Sequence, residues 1–192
     1  MSGGPTPRSP TEVLPHRPPF LFVSEVGMVG EGRAVGLWRL RGDEDFFRGH
    51  FPGRPVVPGV LLTEALAQVA GIALSTSPDV DVPPGASGMI AQLDLRFHAP
   101  VWPPAAIILC AERVGGLATL HRFEVAAFRL EPHDRVWDGR APQPAPPPPG
   151  GAPPGGRRPA ALVGQILAGT LVLSVPGGHG ASVRSAPNPG SG

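Results

Sequence analysis

The sequence of 192 residues contains one cysteine, no lysine and no tyrosine. A lone thiol, Cys110, excludes an internal disulfide framework and any metal site built from several cysteines. It also fits a reducing compartment, so we expect a cytoplasmic protein. The formal net charge is only +1, and a charge so close to zero does not predict a broad positively charged surface for binding nucleic acid. Most histidines show no metal-ligand spacing with one another or with the cysteine, so we expect no metal site; they are His16, His98, His121, His133 and His179.

Only one apolar run needs to be weighed as a membrane span, residues 160–175, AALVGQILAGTLVLSV. It is shorter than the roughly 20 residues that a bilayer-spanning helix needs, and Gln165 and two glycines interrupt it. We therefore predict a buried strand and no membrane span. Residues 2–10, SGGPTPRSP, lack the apolar segment of a secretory signal, so we expect none here.

Proline and glycine are abundant, with 28 and 27 residues, and they divide the chain. We predict a disordered lead-in at 1–11, a disordered Pro/Gly-rich insertion at 131–159 and a disordered tail at 176–192. Such compositions bury too little apolar surface to offset the entropy lost on ordering. The rest forms one domain, with its main part at 12–130 and its last core strand at 160–175.

The apolar pattern of this domain predicts one helix among several strands. Pro58 suits the first turn of a helix, because its missing N–H would be unpaired there, and apolar residues continue the helix to about Leu74. Gly115 and Gly116 predict the turn of a tight hairpin. The predicted strands are 20–29, 33–40, 86–97, 105–114 and 117–130. A helix that is apolar on nearly every face must be wrapped, so we predict an α+β fold with a curved antiparallel sheet around a long central helix.

The stretch 48–71, RGHFPGRPVVPGVLLTEALAQVAG, concentrates the candidate chemistry. His50 lies in a loop pinned by glycine and proline, and such a loop can hold a reacting group in place. The helix that follows is apolar except for Thr63, Glu64 and Gln68. A carboxyl group among apolar neighbours is a candidate acid or base, because burial favours its protonated form.

Three segments of the chain carry recognisable motifs: LPHRPPFLFV at 14–23, FFRGHFPGRPVVPGVLLTEALAQVAG at 46–71 and LDLRF at 93–97. Together they resemble the hotdog-fold R-3-hydroxyacyl-[acyl-carrier-protein] dehydratases of type II fatty-acid synthesis, the FabZ type. The resemblance implies a homodimer, alone or as a trimer of dimers, that builds two active sites at its interface. It also implies an acyl carrier protein as partner, with the substrate on its phosphopantetheine, and no metal or organic cofactor.

The reaction implied by this resemblance removes water from a 3-hydroxyacyl thioester to give the trans-2-enoyl thioester. His50 of one subunit would face Glu64 of the other. His50 would be the base for the Cα proton, since a neutral imidazole is available near neutral pH, and Glu64 the acid for the departing hydroxyl. Gly59, at the helix N-terminus, would bind the thioester oxygen through backbone N–H groups; alternatively, it only serves the turn. Gln68, one turn beyond Glu64, either orients that carboxyl group or satisfies a polar pocket.

The acyl chain would lie in an apolar tunnel along the helix and the dimer interface. Val60 and Phe51 are further candidate substrate-binding residues. Other wall candidates, which could equally be ordinary core, are Phe20, Phe22, Leu62, Leu66, Met89, Ile90 and Phe97. Two alternative functions stay open: a hotdog acyl thioesterase, which would direct water at the thioester carbonyl, and a non-catalytic subunit that binds acyl carrier protein.

Overall fold

The computed structural model describes residues 9–83, 86–130, 137–142 and 165–175. Two helices, a 3-10 turn and six strands make up this part of the chain. In chain order they are α1 (Pro10–Val13), β1 (Glu25–Gly30), β2 (Arg33–Leu40), the 3-10 turn (Asp45–Arg48), α2 (Gly59–Leu74), β3 (Met89–Phe97), β4 (Ala105–Leu117), β5 (Leu120–Arg129) and β6 (Gln165–Ser174).

The six strands form one antiparallel sheet in the order β1, β2, β4, β5, β6 and β3. Helix α2 contacts β1, β2, β4, β5 and β6, and 11 of its 16 residues are buried. No single apolar stripe could account for that degree of burial, so the sheet has to surround the helix. The predicted α+β architecture, a central helix wrapped by an antiparallel sheet, is confirmed.

The core lies between α2 and the sheet. Alanines along α2 let the strands approach closely, and large side chains of the helix and of the sheet fill the space between them. Fully buried members of this core include Leu66, Val69, Ile72, Ile107, Leu109, Phe123, Leu167 and Leu171. Strand β6 supplies part of it, which confirms the predicted buried strand for residues 165–174; residues 160–164 lie outside the described residues.

A second, smaller apolar cluster covers the opposite face of the sheet. It consists of Val35, Leu37, Ile108 and Phe128, with Trp137 packed against them. Trp137 belongs to the insertion predicted to be disordered, of which residues 137–142 are in fact ordered against the sheet. The apolar patch under Trp137 provides the physical reason. The lead-in predicted to be disordered at 1–11 is wrong at its end, because Pro10 begins helix α1. The rest of the insertion, residues 1–8 and the predicted tail lie outside the described residues.

Two of the predicted boundaries are wrong, and particular contacts in the folded chain explain them. The strand predicted at 20–29 begins only at Glu25, because the backbone of Phe20 and Phe22 bonds to the side chain of Gln68 instead of a neighbouring strand. The hairpin predicted at Gly115 and Gly116 turns further on, after Leu117.

Both glycines lie within β4, where the pairing with β5 shifts register between Arg113 and Gly115. A Cβ on Gly116 would come within 2.8 Å of the Leu120 carbonyl and of His121 Nδ1. Glycine is therefore needed at position 116 for close approach of β5 and not for the turn.

Candidate active site

His50 is held in a loop that closes on itself. Its backbone N–H donates to the Phe46 carbonyl at 3.1 Å, and its carbonyl accepts from the Val56 N–H at 3.1 Å. Its ring Nδ1 lies 2.9 Å from the Val56 carbonyl oxygen. Because a carbonyl can only accept, Nδ1 carries the hydrogen, and the neutral ring has its lone pair on Nε2. The loop thus fixes the orientation of the His50 ring and leaves Nε2 as the candidate base.

The loop is fixed to the body of the protein on its far side. The Val57 N–H donates to the Val101 carbonyl at 2.8 Å, and both side chains are buried. A cavity of about 370 Å³ opens here, and its lining includes His50, Gly59, Leu62 and Phe97. His50 therefore lies in the same cavity as the N-terminus of α2.

The start of α2 is open towards that cavity. Pro58 is the N-cap, and its carbonyl accepts from the N–H groups of Leu61 and Leu62. The N–H groups of Gly59 and Val60 precede these first donors and have no intrahelical acceptor. A Cβ on Gly59 would lie 3.0 Å from the ring of Phe97. Glycine at this position therefore keeps the helix end accessible beside Phe97.

Glu64 is held by Gln68, which lies one turn further along α2. Gln68 is 1 % exposed, and its amide nitrogen donates to Glu64 Oε1 at 3.1 Å and to the Phe20 carbonyl at 2.9 Å. Its amide oxygen accepts from the Phe22 N–H at 3.0 Å. Gln68 therefore contacts the Glu64 carboxyl group and also satisfies buried backbone groups, so its contacts are compatible with both alternatives considered for it.

Glu64 lies in a different cavity from His50. This second cavity has a volume of about 640 Å³, and its lining includes His16, Phe20, Glu64 and Gln68. The side chain of Glu64 is 21 % exposed, so the burial expected from its apolar neighbours is incomplete in a single chain. One chain thus presents the two candidate catalytic groups on separate surfaces.

The structure also places His16 beside Glu64. The sequence analysis did not propose His16 as a residue of this site. His16 Nε2 lies 3.4 Å from Glu64 Oε1. The motif that contains His16 was recognised as a whole, but sequence spacing could not indicate contact between residues 48 positions apart. Only the docking of the 14–22 segment on α2 brings them together.

The predicted wall residues divide between the two cavities and the core. Phe20, Met89 and Ile90 line the Glu64 cavity, and Leu62 and Phe97 line the His50 cavity, whereas Phe22 and Leu66 are core residues at 5 % and 0 % exposure. Of the remaining candidates, Phe51 stacks on the His50 ring with centroids 4.2 Å apart and is 55 % exposed, and Val60 is 76 % exposed on α2.

In the described part of the chain, no three His, Cys, Asp or Glu side chains come together as metal ligands would. Among the same residues, none of the helices has the length and apolar character required to cross a bilayer.

Solved structures with the same fold are found at low sequence identity. The dehydratase heterocomplex ApeI:P from Xenorhabdus doucetiae matches with a TM-score of 0.56 at 12 % identity, covering 88 % of this chain and 91 % of that one. Cj0977, a sigma28-regulated virulence protein from Campylobacter jejuni, matches with a TM-score of 0.51 at 11 % identity, covering 88 % and 96 %. These likenesses confirm the predicted hotdog fold.

Sequence comparison identifies the family. The 3-hydroxyacyl-[acyl-carrier-protein] dehydratase FabZ of Herpetosiphon aurantiacus is 50 % identical over 93 residues, which cover 47 % of this chain and 64 % of that protein. FabZ of Caldanaerobacter subterraneus is 47 % identical over 100 residues, covering 51 % and 69 %. The match thus spans about two thirds of the length of these relatives, and it confirms the resemblance to the FabZ type. A FabA-like domain matches residues 14–114, more than half of the chain, and the chain therefore belongs to the FabA-like family.

Proposed function

We propose that this protein removes water from a 3-hydroxyacyl thioester carried on acyl carrier protein and gives the trans-2-enoyl thioester. The observation that carries the proposal is the anchoring of His50 Nδ1 on the Val56 carbonyl. It leaves Nε2 as a free base in the cavity that also contains the N-terminus of α2. The names of the relatives support the same reaction.

The elimination is assigned to side-chain and backbone groups of the protein itself. His50 Nε2 takes the proton from Cα, and the electron pair of that C–H bond forms the new double bond as the 3-hydroxyl leaves. The Gly59 N–H, at the positive end of α2, stabilises the thioester oxygen as its negative charge grows. Glu64 donates a proton to the departing hydroxyl, which leaves as water. The substrate arrives on the phosphopantetheine arm of acyl carrier protein, and the single cysteine of the chain supports a cytoplasmic location.

A homodimer brings the two groups together. Strand β3 forms one edge of the sheet, and Met89, Leu93 and Phe97 on it are 62 %, 45 % and 54 % exposed. Such an apolar edge is a pairing surface. Pairing of two copies along β3 covers these side chains and sets His50 of one copy opposite Glu64 of the other, which explains why one chain holds them in separate cavities.

The test is complementation between two inactive variants. His50→Ala removes the base and Glu64→Ala removes the acid, so each variant should lose activity by roughly 100-fold or more. In the proposed dimer each site takes His50 from one copy and Glu64 from the other. A mixed dimer of the two variants has one site with both wild-type side chains and one site with both alanines. Half of the dimers in an equimolar, re-equilibrated mixture are mixed, so the mixture should recover about a quarter of the wild-type rate. Absence of recovery, with mixed dimers demonstrated by tagged copies, would refute the shared site.

The assay distinguishes the reaction from its alternatives. Incubation with 3-hydroxyacyl carrier protein should give the absorbance of the enoyl thioester without release of free thiol. Free thiol would identify a thioesterase. A wild-type protein that binds the acylated carrier and leaves it unchanged would identify a binding subunit, and either result would overturn the proposed dehydration.

A further inference from the structure

Two nitrogen atoms converge on a single oxygen of Glu64. The amide nitrogen of Gln68 donates to Oε1 at 3.1 Å, and His16 Nε2 lies 3.4 Å from the same atom. The other amide hydrogen of Gln68 goes to the Phe20 carbonyl, so the orientation of this amide is set by its network. Oε1 is therefore an acceptor, and the proton of a protonated Glu64 sits on Oε2.

The segment that carries His16 is fixed on both sides. The Arg17 guanidinium donates to the carbonyls of Leu14 at 2.9 Å and His16 at 2.7 Å. The Leu14 side chain is 5 % exposed and belongs to the core beneath α2. Further along, the backbone of Phe20 is tied to Gln68. Because the backbone is held in this way, the His16 ring is placed beside Glu64 before any substrate binds.

We propose that His16 is a positioning residue for Glu64, which it holds at Oε1 together with Gln68 so that Oε2, the proton donor in the proposed dehydration, faces the cavity. The catalytic consequence rests on the proposed dehydration, whereas the contact itself does not. His16 acts through Glu64 and is assigned no proton transfer of its own. Loss of its ring nitrogen frees the carboxyl group to rotate, and a displacement of about 1 Å at a reacting group can cost up to roughly 100-fold in rate.

The kinetic test compares two replacements of His16. His16→Phe keeps a ring of similar size but removes the nitrogen atoms, and it should lower kcat roughly 10-fold with little change in KM. His16→Gln places an amide donor at nearly the same reach and should restore most of the rate. Equal losses in both variants, or a loss confined to KM, would overturn the positioning role, provided that thermal unfolding shows both variants to be folded.

A double-variant cycle separates positioning from general structural support. If His16 acts only through Glu64, adding His16→Phe to Glu64→Gln should not lower the residual single-turnover rate any further. A further drop of the size seen in the wild-type background would mean that His16 supports the site independently of Glu64. Glu31→Gln, a matched substitution in the exposed turn between β1 and β2, serves as control background, where His16→Phe should have its full effect.

An NMR measurement tests the contact between His16 and Glu64 without an activity assay. The imidazole ¹H–¹⁵N signals of His16, identified by their loss in His16→Phe, should move in Glu64→Gln and stay in place in Glu31→Gln. Unchanged signals in Glu64→Gln would refute the contact. If the wild-type protein proved inactive on every acyl carrier substrate, the proposed function would fail, while this measurement would still confirm or reject the placement of His16 on Glu64.

Discussion

Three histidines of this protein show that neighbours, and not residue type, decide what an imidazole does. His50 has one ring nitrogen within 2.9 Å of a backbone carbonyl oxygen, and the residue lines a cavity. His16 faces a carboxyl group. His121 is only 6 % exposed and shares a small cavity with Arg113 and Asp79. Burial lowers the pKa of His121 below its ordinary value, Arg113 lowers it further by repulsion, and Asp79 opposes both effects.

The lowered pKa of His121 makes a prediction about acid stability. The native ring stays neutral at a pH where the unfolded chain already binds a proton, so the free energy of unfolding falls as pH drops below the ordinary value of 6.5. His121→Phe removes this titration, and its unfolding free energy should depend less on pH between about 7 and about 5. Urea unfolding at a series of pH values measures this dependence for the wild type and the variants. His98→Gln, at an exposed histidine, should keep the wild-type slope, and equal slopes in all three proteins would contradict the assignment.

Elements specified by local pattern were predictable, and those specified by distant side chains were not. The helix predicted from Pro58 to about Leu74 is observed as Gly59–Leu74, because an apolar run behind a proline determines its own extent. The segment from Phe20 to Val23 has a strand-like sequence but does not belong to a strand. A glutamine 46 and 48 positions away bonds instead to the backbone groups of Phe22 and Phe20.

The same distinction applies to the site. His50 and Glu64 could be proposed as site residues from the sequence because each lies in an unusual local context, a pinned loop and an apolar helix. His16 was not, because its contact with Glu64 depends on how the 14–22 segment docks on α2. The separation of His50 and Glu64 into two cavities could be anticipated only through the family resemblance, since no local pattern encodes pairing between copies.

The open edge of β3 makes a prediction about assembly. Leu93→Lys places a charge on an edge strand whose leucine is 45 % exposed. It should leave the fold intact but weaken pairing, because a lysine on an edge strand opposes association. Light scattering should show monomers, and activity should fall with the loss of dimer. Leu117→Lys, at the 83 % exposed end of β4, should change neither property. A monomeric Leu93→Lys variant with full activity would contradict the shared site.

At the scale of the whole molecule, the sheet has apolar side chains on both faces. The inner face holds the core around α2, and the outer face carries the cluster of Val35, Leu37, Ile108 and Phe128. The outer cluster is covered from within the same chain by residues 137–142. The Gly139 carbonyl accepts from the Met28 N–H at 2.7 Å, next to an irregularity in the pairing of β1 with β2. A Cβ on Gly27 would overlap that carbonyl, so glycine allows this segment to approach the sheet edge.

Trp137 is the main apolar residue through which the segment 137–142 contacts the outer cluster. Replacing Trp137 tests whether this segment stabilises the protein. Its indole N–H donates to the Arg140 carbonyl at 2.9 Å, which ties the side chain to the bend at residues 139–140. Because Trp137 is partly buried on the outer cluster, Trp137→Ala should lower the free energy of unfolding by about 1–2 kcal/mol. It should also expose the cluster and increase self-association, measured by urea unfolding and light scattering. Trp102→Ala, at a tryptophan that is 48 % exposed, is the matched control and should change both quantities far less. Equal effects of the two substitutions would show that residues 137–142 contribute no specific cover to the outer face of the sheet.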